Sequence, residues 1–413
     1  MFPLIPLQAY FFKRKRVESN YTLRELSRLL HLDNGYLSKL ENNRLLPTQR
    51  NIDIMLHFYG IKKYQFDTLH FSSEYIDTVM NKLYYMDFTD NDLKILHNYI
   101  EKSKNTVYVG HLYLLLWCYK ALYVIWDTKF KMDLKILSEL YTSLSEKEQM
   151  FFIICKLFYH IRSREHDQSN NCIKILDKMN LDSLFGFNLY VRVCYNFYFN
   201  NQLDLPLSIK SCKTKLLKDK NTRRYNAVLM YEAMFNKKVG NFSTAFQLYD
   251  NLQNSYLKLR DYTNYAIIHH NLGSLLTSQK KYVEAIQHYE IAIKSCYEND
   301  TFFELAWCYY CNKQYDKCSK TIQSAYTVTT KYDVYTLLLD WLMITLSNPC
   351  SKRSIDLLLK IKKEYFDSIG SDTKNFVLIA LANSYNRIGE FQTANLFLKE
   401  ILSLQNSYLI EIE

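Results

Sequence analysis

At 413 residues the chain is far longer than one small module, and 48% hydrophobic residues with 15% aromatics supply material for an extensive core. Only 8 Gly and 5 Pro over that length exclude a loop-rich β fold and favour long helices. The net charge of +10 is unevenly placed: residues 1–66 hold 11 Lys/Arg against 5 Asp/Glu, while the other 41 basic and 37 acidic residues nearly balance.

The chain starts apolar, Met1 to Phe12, and the basic run Lys13-Arg14-Lys15-Arg16 follows, the reverse of a secretory signal. The strongest apolar stretch, Leu112 to Trp126, is interrupted by Lys120 and is shorter than the ~20 residues that span a bilayer. It reads as a buried helix, and the expectation is a cytoplasmic protein with no membrane partner.

Residues 22–41 predict two short helices joined by a tight turn. Thr22 and Glu25 form a capping-box pattern, and Leu23, Leu26, Leu29 and Leu30 recur at helical spacing. Ser27 is small where the two helices cross. His31 occupies the turn, and His tolerates a left-handed conformation there better than most residues. Asp33 is suited to cap the second helix, whose Tyr36, Leu37 and Leu40 face inward. Asn34, Gly35, Ser38 and Lys39 are left facing outward. Asn is apt for adenine and Lys for guanine, each with about 1–3 kcal/mol of discrimination in good geometry, and Gly35 is expected to offer backbone access only.

The pattern continues as Glu41-Asn42-Asn43-Arg44-Leu45-Leu46-Pro47-Thr48, with Asn43 at the expected left-handed position. Residues 52–61 close a small core. Together these motifs resemble the repressor-like (XRE/Cro) helix-turn-helix domain over residues 7–66. That resemblance implies double-stranded DNA as partner, with Asn34, Gly35, Ser38 and Lys39 toward base edges and Thr22, Arg24, Arg44 and Arg50 toward phosphates. The run Lys13–Arg16 is either a solvated helix face or a phosphate contact. Beside this motif, phosphate contact is the expectation.

Residues 67–89, with Phe71, Tyr75, Val79 and Leu83, predict a linking helix. From 90 to 413 the chain reads as a helical repeat array. Ala266, Leu272-Gly273, Leu276, Tyr282, Ala285, Tyr289 and Ala292 follow the spacing of the ~34-residue tetratricopeptide repeat. The frame recurs at Leu305-Ala306, Tyr309, Tyr315, Cys318, Ile322 and Ala325, earlier at Ala233, Phe242, Ala245, Tyr249 and Leu252, and later at Leu381-Ala382, Tyr385, Phe391, Ala394, Leu398 and Ile401. Residues 90–225 and 331–370 are helical by periodicity and read as degenerate repeats. The fold class is all-α: a repressor-like helix-turn-helix domain (1–66), a linker helix (67–89) and a right-handed tetratricopeptide-repeat superhelix (90–413).

Stacked repeats present their A helices along a concave groove. Transferring A-helix positions places His270, Ser274 and Thr277 there, then Phe303, Trp307 and Tyr310, then Asn383, Asn386 and Arg387. Asn pairs with peptide backbone and Arg clamps a carboxylate. The expected peptide-binding residues are His270, Trp307, Tyr310, Asn383, Asn386 and Arg387.

The combination of head and array resembles the RRNPP group of bacterial peptide-pheromone receptors. It implies a homodimer that reads an inverted-repeat operator and changes its grip on DNA when a short signalling peptide enters the groove. The alternative is a Rap-like scaffold that binds or dephosphorylates a response regulator. No phosphate-binding loop, zinc-protease motif, dinucleotide turn or serine nucleophile elbow is present in the sequence, so no enzyme and no cofactor is expected. His97, His111, His160 and His166 read as isolated structural or solvent-facing residues. Cys308, Cys311 and Cys318 read as packing residues rather than metal ligands.

Overall fold

The computed structural model describes residues 4–123, 128–179, 184–199, 203–295, 298–328, 333–349, 351–366 and 369–406. Residues 1–3 and Trp126, at the ends of the two apolar stretches noted above, lie outside the described residues. Among the described residues the chain is all helix and turn, without a strand. Helix-to-helix contacts divide it into two compact units, residues 1–232 and 233–413, a division that falls inside the segment read as the repeat array.

The first unit opens with α1 (Leu4–Glu18), α2 (Leu23–Leu30), α3 (Asn34–Glu41), α4 (Gln49–Phe58) and α5 (Lys63–Asp67). Thr22 caps α2: its Oγ1 accepts from the Glu25 amide at 3.2 Å, and Glu25 Oε2 accepts in return from the Thr22 amide at 2.7 Å. Asp33 caps α3 by accepting from the Tyr36 amide at 2.8 Å. His31 (φ 53°) and Asn43 (φ 56°) take the two left-handed positions that end these helices. Leu26, Leu30, Leu37 and Leu40 are buried, but Leu29 is 50% exposed. At about 100° per residue it lies on the flank of the stripe that Leu26 and Leu30 define.

After the head come α6 (Ser73–Tyr85), α7 (Asp90–Ser103), α8 (Val109–Tyr123), α9 (Thr128–Leu137), a 3₁₀ turn (Ser138–Ser143), α10 (Glu146–Arg162), α11 (His166–Leu176), α12 (Phe185–Tyr198) and α13 (Leu205–Lys218). α8 is the buried helix expected from its apolar sequence, with Leu112, Leu115, Trp117 and Cys118 at most 2% exposed. No helix among the described residues is long and apolar enough to cross a membrane.

The head is seated on these helices. Leu7, Ala9, Tyr10, Phe11 and Phe12 of α1 are at most 2% exposed, and α1 packs on α3, α8, α9 and the 3₁₀ turn. Gly110 permits that approach: a Cβ there would meet Leu140 Cδ1 at 2.9 Å and Tyr10 Cδ1 at 3.1 Å. The Val107 amide also donates to the carbonyl of Phe66, at the end of the head, at 2.9 Å.

The linking segment is equally fixed. Ile76, Val79, Met80, Leu83 and Tyr84 of α6 are buried. Its C-terminal carbonyls are taken by a buried cation, Arg224, whose Nη2 donates to Leu83 O at 3.0 Å and whose Nε donates to Tyr84 O. The guanidinium also lies over the rings of Phe187 (4.2 Å) and Tyr190 (4.6 Å). An orphaned helix end and a buried charge thus satisfy each other.

α14 (Thr222–Lys238) runs from the first unit into the second. The second unit continues with α15 (Phe242–Lys258), α16 (Tyr262–Ser278), α17 (Tyr282–Ala292), α18 (Asn299–Cys311), α19 (Tyr315–Val328), α20 (Val334–Ser347), α21 (Lys352–Glu364), α22 (Ser371–Arg387) and α23 (Phe391–Asn406). Neighbouring helices pack pairwise, α16 on α17, α18 on α19, α20 on α21 and α22 on α23. The repeat frame is borne out in packing: Ala233, Ala245, Leu252, Ala285, Ala306, Cys318, Ile322, Ala325 and Ala394 are fully buried. Phe242, Tyr315, Phe391 and Leu398 depart from it, at 36%, 51%, 63% and 42% exposure. Gly273 faces the Tyr289 ring so closely that a Cβ would lie 2.8 Å from it.

Each of the four clear repeats turns the same way. The second residue after helix A is left-handed: Gly240 (φ 82°), Lys280 (φ 60°), Lys313 (φ 58°) and Gly389 (φ 83°). The next amide reaches back to a carbonyl five residues earlier, as from Lys281 to Leu276 and from Gln314 to Tyr309, both 2.9 Å. This is the Schellman closure, which satisfies the orphan carbonyls of helix A.

Candidate functional site

The residues expected to meet DNA lie on α2, on α3, in the turn after it and at the start of α4. Arg24, Asn34, Gly35, Lys39, Arg44 and Arg50 are all exposed, as the sequence reading requires. Ser38 is half-buried, and its carbonyl accepts from Asn42 Nδ2 at 2.7 Å. The Thr22 hydroxyl is exposed but engaged in the capping box, donating to Glu25 Oε2 at 2.7 Å. Gly35 has a local reason beyond backbone access, since a Cβ would sit 3.0 Å from the capping Asp33 Oδ1. Asn34 and Gly35 occupy the first turn of α3, where free amides and the helix dipole favour an anion. Arg28, exposed on α2 one turn after Arg24, was not singled out in the sequence.

The basic run behaves differently from its expected role. Lys13, Arg14, Lys15 and Arg16 are all half-buried. Arg14 lies 3.0 Å over the Tyr113 ring and pairs with Glu18 at 2.6 Å. Lys15 donates to Asn105 Oδ1 at 3.0 Å. Arg16 forks onto Glu41, with Nε and Nη2 each 2.7 Å from a carboxylate oxygen. Three of the four charges expected to meet phosphate therefore fasten α1 to its own neighbours. The sequence signalled the charge but not the direction in which the side chains point.

These residues coincide with a known domain. Residues 12–66 match the helix-turn-helix family model HTH_3. The head is a helix-turn-helix.

The array also has known counterparts, in fold alone. A Rap protein solved in complex with competence and sporulation factor superposes with a TM-score of 0.67 at 12% identity, covering 82% of this chain and 99% of that one. The apo quorum sensor NprR from B. thuringiensis gives 0.59 at 14% identity over 81% of this chain and 98% of its own. NprR in complex with its cognate peptide NprX gives 0.60 at 13% identity, over 82% and 99%. No curated protein sequence matches the chain. The all-α class expected from the sequence is therefore present in both parts: a helix-turn-helix head, and a helical-repeat superhelix fold shared with Rap and NprR.

The residues transferred to the groove lie on α16, α18 and α22 of the second unit. Asn383, Asn386 and Arg387 are exposed, with Asn383 and Arg387 following Phe376 along one helix face. Trp307 and Tyr310 are half-buried and stack on each other, centroids 5.5 Å apart. His270 is committed within the protein: its Nδ1 is 3.0 Å from Thr301 Oγ1, and its ring meets the edge of Tyr289. Burial holds the His270 imidazole below its ordinary pKa, which favours the neutral form. Ser274 accepts from Lys237 at 2.8 Å, and Thr277 donates back to the Gly273 carbonyl at 2.9 Å.

A polar cluster surrounds half-buried Glu304 on α18. Burial pushes its carboxyl up to about 7; Lys237 opposes the shift, and Asp300 and Asp372 add to it. Tyr289 donates to Glu304 Oε2 at 3.4 Å. Nearby, His269 and His288 meet Nδ1 to Nδ1 at 2.9 Å, and burial together with His288 lowers His269 to about 4.

The histidines read as isolated include two in pairs. His111, fully buried, meets Glu148 at 2.7 Å, and His160 meets Glu165 at 2.6 Å. His97 holds the carbonyl of Leu93 at 2.9 Å, and His166 lies beside Tyr195. Cys308 touches Thr277 Oγ1 at 3.1 Å, and burial pushes its thiol to about 12, Cys311 to about 11 and Cys318 to about 12. Among the described residues no three His, Cys, Asp or Glu side chains cluster for a metal.

Proposed function

We propose that this protein is a sequence-specific DNA-binding regulator controlled by a short signalling peptide in the groove of its repeats. The observation that carries the reading is the joining, in one chain, of a helix-turn-helix head to the repeat fold of NprR, a quorum sensor solved with a cognate peptide. In this reading the protein is a cytoplasmic homodimer without catalytic activity of its own. Two heads meet half-sites of an inverted repeat spaced about 34–36 Å, or a multiple of that, along the duplex. Asn34, Ser38 and Lys39 read bases, Arg24, Arg28, Arg44 and Arg50 hold phosphates, and Asn383, Asn386 and Arg387 hold the peptide.

The seating of α1 and α6 gives the mechanism a physical constraint. A head packed on α8, with its following helix anchored by Arg224, does not swing on a slack tether. Control by peptide then acts by repositioning whole rigid bodies, with a coupling of about 1–3 kcal/mol sufficient for a 5- to 150-fold change in affinity.

The experiment is selection of bound sequences from random duplex DNA by the full-length protein, with and without a pool of short peptides. An enriched inverted repeat whose binding responds to peptide supports the reading. Binding that is weak, salt-sensitive and without enrichment counts against it. The likeness to a Rap protein favours one second reading, a repeat scaffold that engages or dephosphorylates a folded response-regulator partner. Capture of such a partner by the second unit, with no operator enriched, would select it.

A further inference from the structure

Two side chains on the first turns of α22, Asp372 and Phe376, lie against residues of the preceding A helices. Phe376 packs edge-on against Phe303 (5.2 Å), Trp307 (4.9 Å) and Trp341 (5.6 Å). Phe303 and Trp307 are the positions that the repeat frame assigns to the groove. Four residues before Phe376, on the same helix face, Asp372 accepts from Lys237 Nζ at 3.2 Å, although its own side chain is 81% exposed. α14 and α22 are separated in the chain by three A helices, so this ion pair and this ring close the A-helix face on itself.

One polar group in the aromatic cluster is left over. The Trp341 indole Nε1–H, in a residue 4% exposed, has no acceptor among the described residues. A buried donor left without an acceptor is destabilising. The site therefore retains hydrogen-bonding capacity that its present occupant, a phenyl ring, does not use.

We propose that Asp372 and Phe376 are internal stand-ins for the ligand. The groove takes a short peptide that places a carboxylate on Lys237, an aromatic or large aliphatic side chain against Phe303, Trp307 and Trp341, and a backbone carbonyl on the Trp341 indole N–H. Entry of that peptide displaces the start of α22. This deepens the groove reading given above and rests on it. Side chains four apart on a helix have Cβ atoms about 5–6 Å apart. In an extended peptide that spacing corresponds to residues two apart, about 6.5–7 Å, on one side of the chain. The ligand class is thus a peptide with an acidic and an aromatic residue separated by one position. Both contacts formed by α22 are exchangeable: the ion pair is partly exposed, and the edge-on ring contacts can be remade by an incoming apolar side chain.

The test uses full-length wild type, Phe376→Ala, Asp372→Asn and Lys237→Met, titrated calorimetrically with the blocked pentapeptide Ala-Asp-Ala-Phe-Ala. Its counterparts with Asn in place of Asp and with Ala throughout serve as controls, and a random hexapeptide pool is screened in parallel. Removing the internal competitor should tighten Asp-x-Phe binding about tenfold in Phe376→Ala, which is 1.4 kcal/mol. Asp372→Asn, at an exposed position that leaves the ring packing in place, should tighten it several-fold. Lys237→Met should bind the Asp and Asn peptides equally. If pool peptides bind wild type but neither Phe376→Ala nor Asp372→Asn binds Asp-x-Phe better than wild type, the stand-in proposal is wrong while the groove remains a peptide site. If no peptide binds any of the four proteins, the groove reading falls with it.

Discussion

Arg16, in the last turn of α1, grips Glu41, the last residue of α3, through two parallel hydrogen bonds of 2.7 Å, and Glu41 is only 3% exposed. A forked guanidinium–carboxylate pair fixes orientation as well as distance. The helix expected to read DNA is thereby set against α1, and α1 is in turn packed on α8 and α9. The pair also raises the Arg16 guanidinium above its ordinary pKa, the hydrogen bond to Glu41 being the first cause.

Breaking that pair from the Glu41 side leaves the half-buried Arg16 guanidinium with the Tyr21 carbonyl, 2.9 Å from Nη1, in place of its carboxylate. Glu41→Ala should destabilise the head by about 3–5 kcal/mol. Amide hydrogen exchange across residues 22–58 should accelerate while the second unit is unchanged. Unaltered protection in the head would show that the pair contributes nothing there.

Lys39→Ala combined with Asn34→Ala should remove about 2–6 kcal/mol of sequence discrimination, given about 1–3 kcal/mol for each base contact. Both side chains are exposed, so circular dichroism and oligomeric state should stay as in wild type. A mobility-shift assay that still separates operator from random duplex would place the recognition surface elsewhere.

The seating of the head depends on the absence of a side chain at Gly110. Gly110→Ala should introduce overpacking of about 1–3 kcal/mol against Tyr10 and Leu140. Because α1 carries the strain, limited proteolysis should cleave near residues 18–21 sooner than in wild type. Equal cleavage rates would mean that Leu140 and Tyr10 adjust freely.

Lys313 is held at φ 58°, a position that two of its three sister repeats fill with Gly240 and Gly389 and the third with Lys280. A left-handed L-residue costs about 1–2 kcal/mol, and Gly recovers part of that after its own backbone entropy. Lys313→Gly should stabilise the second unit by about 0.5–1 kcal/mol, read as a shift in its chemical denaturation midpoint. A lower midpoint would reverse the argument.

Glu304 and His269 bias the second unit in opposite directions with pH. The Glu304 carboxyl is raised from its ordinary 4.5 to about 7, so the folded form holds its proton more tightly than the unfolded chain does. Its contribution is favourable at low pH and is lost as pH rises from about 4.5 through 7. His269 is lowered to about 4, so the unfolded chain takes up its proton first and stability is lost as pH falls from 6.5 toward 4. Comparing wild type with Glu304→Gln cancels the histidine contribution. The stability difference should move in favour of wild type as pH falls from 7 to 5, and a difference independent of pH would refute the assignment.

Much of the head was legible because its signals are local. A capping box is complete within four residues, and the left-handed sites at His31 and Asn43 were marked by the resemblance to the helix-turn-helix pattern. The array was legible for the same reason, since Ala, Gly and Tyr at fixed offsets reflect close approach within one helix pair, as Gly273 against Tyr289 shows.

Long-range choices were not encoded in such windows. Whether Arg14, Lys15 and Arg16 met phosphate or protein depended on Tyr113, Asn105 and Glu41, residues 25 to 99 positions away. The linking helix was evident from its periodicity, but its immobilisation by Arg224 was not, because a buried guanidinium and a solvated one look alike in sequence. The sequence by itself determined that the chain is helical, where its helices turn, and that a basic reading head precedes a repeat array. Only the tertiary structure decided which charges remain available to a partner and which groove residues, such as Trp307, are already covered by the chain's own Phe376. Short-range sterics and capping act within a turn or a repeat, whereas charge pairing and ring packing are settled by whatever the fold brings alongside.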